Sequence, residues 1–247
     1  MGPAAAMRGT LTRPTFLLAL GLACALGWDF SGLDLHVARH LGSAQGFAAQ
    51  HAFWAETLLH DGVRKLLGLA VVLSAALIWR REGRARRVGA LLAALLATLA
   101  VNALKATSLT SCPWSLAEFG GEPGVEWVSH WQWAVADGGP GHCFPSGHSA
   151  GVFALWCLVP AWTEQARWRR LAWLAVGLLG AAASAAQWAR GAHFVSHSLW
   201  SAWGCAAWAF ALQLAMEKGL WARNSLTGPS VNRLGDWLAG SWARMRV

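Results

Sequence analysis

The chain has 247 residues, with 20 Lys and Arg against 12 Asp and Glu and a formal net charge of +8. Hydrophobic residues make up 55% and charged residues 13%, about half the charged share of a soluble domain. This balance excludes a disordered chain, a disulfide-rich miniprotein and a soluble nucleic-acid binder, because the positive charge lies between apolar blocks of membrane length.

Six blocks follow in chain order, roughly Thr15–Trp28, Leu66–Trp79, Val88–Leu104, Ser149–Trp162, Leu171–Trp188 and Ser198–Met216. They predict an all-α integral membrane fold, a bundle of six transmembrane helices in a single domain over 1–247. The blocks are rich in Ala, Leu and Gly, and small residues let helices approach closely. Trp28, Trp79, Trp162, Trp188 and Trp221 stand near block ends, where indole rings favour the interface. The first block has two readings. Arg8 and Arg13 ahead of a short apolar stretch with Ala23-Cys24-Ala25 resemble a cleaved signal peptide; a retained helix is preferred. Asn102, inside the third block, reads as an interhelical hydrogen bonder.

Charge sets the orientation. With the N-terminus inside, the inner segments 1–14, 80–87, 163–170 and 217–247 hold 15 Lys and Arg, and the outer segments hold five. The run Arg80-Arg81-Glu82-Gly83-Arg84-Ala85-Arg86-Arg87 marks its loop as cytoplasmic. Both termini are then cytoplasmic. The tail 217–247, with Trp221, Leu234, Trp237 and Trp242 among basic residues, fits an amphipathic segment on that surface. All nine His lie on the outer side, as do both long polar loops, 29–65 and 105–148. Any chemistry faces outward.

Three outer segments carry it. Lys105 ends the third block and is followed by Cys112-Pro113. Cys143-Phe144-Pro145-Ser146-Gly147-His148 opens the fourth block. Arg190-Gly191-Ala192-His193-Phe194-Val195-Ser196-His197 joins the fifth to the sixth. Lys105 and Arg190 suit a phosphate-sized dianion, one as a point charge and one as a planar fork. Ser146 and the Gly147 N–H lie where a helix begins, a place that favours anions. His148 and His193 can divide attack and proton donation between them. No Asp or Glu cluster accompanies them, which argues against a two-metal hydrolase. His36, His40, His51, His60, His130 and His142 read as solvated loop residues.

These residues resemble the type 2 phosphatidic acid phosphatases, a family of membrane lipid phosphatases related to vanadium haloperoxidases. The family pattern is K-x6-R-P, then P-S-G-H, then S-R-x5-H-x3-D. Pro145-Ser146-Gly147-His148 matches the second part fully. Lys105 and Cys112-Pro113 match the first with Cys in place of Arg. In the third part His193 aligns with the nucleophile, Gln187 with the Arg and His197 with the Asp. A rival alignment, Arg190-x6-His197-x3-Ser201, is one residue too long and leaves His193 unexplained. The resemblance spans about residues 60–216. It implies a metal-independent phosphatase with no cofactor, acting on a membrane lipid phosphate or diphosphate. Lys105, Ser146, Gly147 and Arg190 would hold the phosphate. His193 would form a phosphohistidine, His148 would protonate the leaving oxygen, and His197 would orient the His193 ring.

Cys112 and Cys143 each stand beside a motif in one exported loop, so a disulfide between them is expected. Cys24, Cys157 and Cys205 read as core residues. Four alternatives remain: a lipid phosphotransferase, a lipid-phosphate-binding protein with weakened chemistry, a rhomboid-like protease using Ser149 in Gly147-His148-Ser149-Ala150-Gly151, and a zinc site of His148, His193 and His197. Composition suggests a bacterial inner membrane with the site on the periplasmic side. The lipid and the oligomeric state stay open.

Overall fold

The computed structural model describes residues 3–78, 83–163 and 165–217, with side chains from residue 15 onward. The predicted amphipathic tail lies, beyond Glu217, outside the described residues, and so does part of the 80–87 basic run.

The fold is mostly helical. Helix α1 (Pro3–Asp29) gives way to α2 (Leu33–Leu41) at a 71° bend. A minimal antiparallel hairpin, β1 (Gly42–Ser43) with β2 (Gly46–Phe47), follows. A π-helical stretch, Trp54–Gly62, then runs directly into α3 (Val63–Leu77). Helix α4 (Arg84–Thr107) leads to a long loop with two 3-10 turns, Pro113–Ser115 and Ala117–Phe119. The next stretch is broken into α5 (Gly147–Phe153), a 3-10 turn at Ala154–Cys157, and α6 (Val159–Trp162). Helices α7 (Ala166–Ala189) and α8 (Val195–Glu217) complete the bundle.

Three helices are long and apolar enough to cross a bilayer: Arg84–Thr107, Ala166–Ala189 and Val195–Met216. The bent pair Thr15–Asp29 and Leu33–Leu41 makes a fourth if it counts as one span. The second and fourth sequence blocks take less regular forms. The helix holding the second block begins with a π-helical segment that carries Glu56, His60 and Asp61. The fourth contains Pro160, which has no backbone N–H to continue an α-helical ladder.

The packing is inverted relative to a water-soluble protein. On α4, Ala90, Ala93, Ala94 and Ala97 recur at helical spacing and are buried against Phe153, Ala154, Cys157 and Ala209. Leu92, Leu95, Leu96 and Leu99 of the same helix are exposed. Helix α7 repeats the pattern, with Gly180, Ala183, Ser184 and Gln187 inside and Leu171, Leu174 and Leu178 outside. Large apolar side chains facing outward are costly in water and at ease in hydrocarbon, while small residues give close helix contact. At Gly180 an added Cβ would stand 2.2 Å from the Phe153 ring, so glycine sets the α5–α7 approach.

Several tryptophans fasten the bundle through their indole N–H groups, and one cysteine departs from expectation. The indole N–H of Trp28 donates to Asp34, that of Trp188 to Ser198, that of Trp200 to Asp29, and that of Trp203 to the Leu18 carbonyl. Without water nearby an indole N–H has to find such a partner. Cys157 and Cys205 are buried, but Cys24 is exposed. Its neighbour Ala25 takes the buried face of α1, about 100° around the helix.

The loop between α4 and α5 caps the site end of the bundle. Its core joins Leu116, Phe119 and Val125 to Phe47 and Phe194. The Asp137 carboxylate accepts from the backbone and hydroxyl of Ser111 and from the Gly139 N–H. The expected Cys112–Cys143 disulfide is present, with Cα atoms 5.2 Å apart. Beside it, the His142 N–H donates to the Ser108 carbonyl and the Cys143 N–H to that of Thr110. The segment leaving α4 is thereby tied to the one entering α5.

Candidate active site

The Pro145–His148 turn is built from capping chemistry. Ser146 is extended, follows a cis Phe144–Pro145 bond, and accepts from the Ser149 N–H through its side chain. That makes it the N-cap of α5. Its own N–H donates to the His197 carbonyl, and the Ser201 hydroxyl donates to the carbonyls of both Ser146 and His197. The first turns of α5 and α8 are thus stitched together. The Ser146 hydroxyl is fully buried in a cluster with Ser149, Ser184 and Ser198. The cap and the cluster thus engage the hydroxyl that the sequence assigns to a phosphate. Ser149 sits at the centre of that cluster with no exposure, an arrangement that offers a peptide substrate no access to its hydroxyl in this structure.

Gly147 brings α4 and α5 together. An added Cβ there would lie 3.0 Å from Asn102 Oδ1 and 3.9 Å from Lys105 Cδ. Lys105 therefore lies over the turn, half-buried. The Asn102 amide donates to the Thr98 carbonyl of its own helix at 2.9 Å, not to a neighbouring helix as expected.

His148 is half-buried. Its Nε2 lies 3.3 Å from the Leu59 carbonyl and its ring stacks on His60 at 4.7 Å. His60 Nδ1 in turn lies 3.0 Å from Asp61. Burial, with His60 alongside, pushes the His148 imidazole down to about 4.

His193 sits in the turn between α7 and α8. Gly191 shapes that turn with a φ of 71°, and an added Cβ would strike the Phe47 ring at 2.3 Å. The Gly191 carbonyl accepts from the Trp114 N–H, linking the turn to the Cys112-Pro113 segment. His193 is buried, with Nδ1 3.5 Å from Cys143 Sγ and 3.5 Å from His197 Nδ1. Burial, reinforced by the nearby Lys105 and His148 charges, pushes its imidazole down to about 3. The ring is neutral at ordinary pH, with Nδ1 turned inward.

Lys105, Gly147, His148, His193 and His197 are thus brought to one end of the bundle. Arg190 is nearby but already engaged. Its Nε donates to the Gln50 carbonyl at 2.9 Å and its Nη2 to Glu56 at 3.0 Å. Two of the nitrogens expected to face a phosphate, Nε and Nη2, are thus occupied within the protein. A buried guanidinium needs a counter-charge, and the π-helical segment delivers one. Gln187, aligned with a family Arg, is buried with no acceptor for its amide nitrogen among the described residues.

Sequence reasoning missed Glu56, His60, His130 and Asp29. His60 stacks on His148, and the His130 ring packs face-on against Phe144 at 3.9 Å with its side chain only 7% exposed. The crowding of all nine His on one side is the signal that pointed toward them. Among the described residues the donors clustered closely enough for a metal are Cys112, Cys143 and His193, within 4.8 Å of one another. The two sulfurs are bonded to each other and offer no thiolate. His148, His193 and His197 do not form such a cluster among the described residues.

An apolar groove of about 250 Å³ runs between α4 and α8. Leu96, Ala100, Leu104, Trp203 and Gly204 line it, and Phe144 and Pro145 close its site end. Its last residues adjoin Lys105 and Ser146 directly in the chain.

A family model described as the PAP2 superfamily matches residues 87–220, somewhat over half of the chain. No curated protein and no solved structure matches it.

Proposed function

The chain belongs to the PAP2 superfamily and is a phosphatase-type protein acting on phosphate substrates, and from that premise we propose that its substrate is a membrane lipid phosphate or diphosphate. The observation carrying this reading is the apolar groove that ends on Leu104, Phe144 and Pro145, the chain neighbours of Lys105 and of the Ser146–His148 turn. A hydrocarbon chain in the groove would leave its phosphate beside a lysine, a helix start and two histidines.

In the proposed mechanism Lys105 and the Gly147 N–H hold phosphate oxygens as charge spreads over the transferring group. The buried Gln187 amide adds a neutral donor. Arg190, fixed by Gln50 and Glu56, adds positive potential. His193 attacks phosphorus through Nε2, and an N–P bond forms as the bond to the leaving oxygen breaks. His148 gives that oxygen its proton. Water then attacks the phosphohistidine, His148 takes the water's proton, and phosphate leaves. His148 is neutral at rest, so it gains its proton when the dianion arrives.

The arginines support an orientation. Arg84, Arg86 and Arg87 begin α4, and Arg167, Arg169 and Arg170 begin α7, while the site lies at the far ends of both helices. We read this as a six-span protein of a bacterial inner membrane, with cytoplasmic termini and a periplasmic site.

The test is phosphate release by the purified protein from phosphatidic acid, phosphatidylglycerol phosphate, undecaprenyl pyrophosphate and lipid A, beside His193→Ala. Release from at least one lipid, lost in that variant, is expected. Equal release by both proteins sinks the assignment. The groove has its own check. Gly204 lines the groove and an added Cβ there meets no atom within 4 Å, so Gly204→Leu is the substitution chosen to fill it. It should depress lipid turnover far more than turnover of a small soluble phosphomonoester.

A further inference from the structure

We propose that Asp29 and His130 are positioning residues for His193, supplying at one remove the negative charge that His197 lacks. The inference rests on the phosphohistidine reading and extends it to residues outside the motifs.

The side chain beside His193 is His197, with the two Nδ1 atoms 3.5 Å apart. An imidazole orients a neighbour by hydrogen bonding, but as a neutral group it does little for the positive charge that phosphoryl transfer places on the His193 ring. Behind His197 lies His130, edge-on at 5.7 Å between ring centroids. His130 Nε2 lies 3.5 Å from Asp29 Oδ2, a close charge contact without a hydrogen bond of its own among the described residues. The two side chains are only 7% and 1% exposed, respectively. Burying a carboxylate is expensive unless it is paired or hydrogen-bonded. Asp29 Oδ2 also accepts from the indoles of Trp131, at 3.0 Å, and Trp200, at 2.6 Å. Its Oδ1 has no hydrogen-bond partner among the described residues.

The row Asp29–His130–His197–His193 draws one group each from the end of α1, the capping loop, α8 and the α7–α8 turn. Phe144 holds it in line, stacked on His130 and edge-on to His197 at 5.3 Å. Two other buried carboxylates at this end are already spent, Asp137 on Ser111 and Gly139, and Asp34 on α8. Asp34 accepts from the N–H and hydroxyl of Ser196 and from the Trp28 indole, and so caps the first turn of α8. Asp29 is the acid whose histidine neighbour leads to the nucleophile.

Orthovanadate is the probe, since its oxygens mimic a phosphoryl group in flight and its binding needs no turnover. Affinity is measured for the full-length protein in detergent, for Asp29→Asn and for His130→Gln, each alone and in a His197→Asp background. Either change alone should weaken binding about tenfold. In the His197→Asp background, where a carboxylate already faces His193, the same changes should cost under about twofold. Equal losses in both backgrounds would mean that Asp29 and His130 merely hold the fold, and would overturn the proposal. So would no loss in either background. His193→Ala separates the two readings. If it binds vanadate like the unaltered protein, the phosphoryl site itself fails and the relay with it. If it loses binding while Asp29→Asn does not, only the relay fails.

Discussion

His193 and His148 are held as weak bases by their surroundings. Burial pushes them to about 3 and about 4, against 6.5 for an unperturbed imidazole. A neutral His193 keeps its lone pair for attack without a base to activate it. The same shifts bear on stability. Between the folded values and 6.5, each histidine takes up a proton when the chain unfolds, so acid favours the unfolded state. Thermal unfolding in detergent should show a Tm that is flat above pH 7 and falls as pH drops from 6.5 toward 4. His193→Asn should make that slope shallower. A Tm independent of pH across this window would contradict the burial of both rings. The division of labour is separable too. His148→Ala should slow release from a lipid phosphate by about 10²- to 10⁴-fold. With p-nitrophenyl phosphate, whose leaving group needs little protonation, the same variant should still accumulate phosphoenzyme, trapped by an alkaline quench that preserves the N–P bond.

At the scale of elements, small residues decide which helices touch. Gly180 lets α7 lie against Phe153 of α5, and Ala90, Ala93, Ala94 and Ala97 do the same for α4. Those contacts set where His148 and Lys105 stand relative to the α7–α8 turn. Gly180→Leu should destabilise the bundle by about 1–3 kcal/mol through overpacking. Leu178→Ala, two residues away on an exposed face, should change the Tm in detergent by much less. Equal effects from the two would argue against the close α5–α7 contact. The π-helical Trp54–Gly62 segment is the other element that matters here. It brings Glu56 to Arg190 and His60 to His148, as π-helical segments often do at functional sites.

For the whole molecule the capping loop is decisive, because it locks three chain-distant segments over one end of the bundle. The Cys112–Cys143 bridge closes a separation of 31 residues. In the chain-entropy model that constraint is worth about 4 kcal/mol. Reductant, or a Cys112→Ser, Cys143→Ser double variant, should lower the Tm. The variant should also raise KM for a soluble phosphate ester, since the α4 end carrying Lys105 is no longer tied to the α5 turn. An unchanged Tm and KM would show that the hydrogen bonds at Ser108, Thr110 and Asp137 hold the loop without the disulfide.

Helical character, the apolar blocks, the charge asymmetry and the Lys105, Pro145–His148 and His193 motifs were legible from the amino-acid order alone. They depend on local composition and spacing, which a linear chain displays. The disulfide was legible as well, because each cysteine stands beside a motif. The π-helical turn, the capture of Arg190 by Glu56, the burial of the Ser146 hydroxyl and the row from Asp29 to His193 were not. Each depends on which faces of distant helices meet. Arg190 and Glu56 are 134 positions apart, and Asp29 and Trp200 are 171 apart. Whether a polar group is open to a ligand or consumed by a neighbour is settled by desolvation and packing, and only the tertiary structure brings those neighbours together.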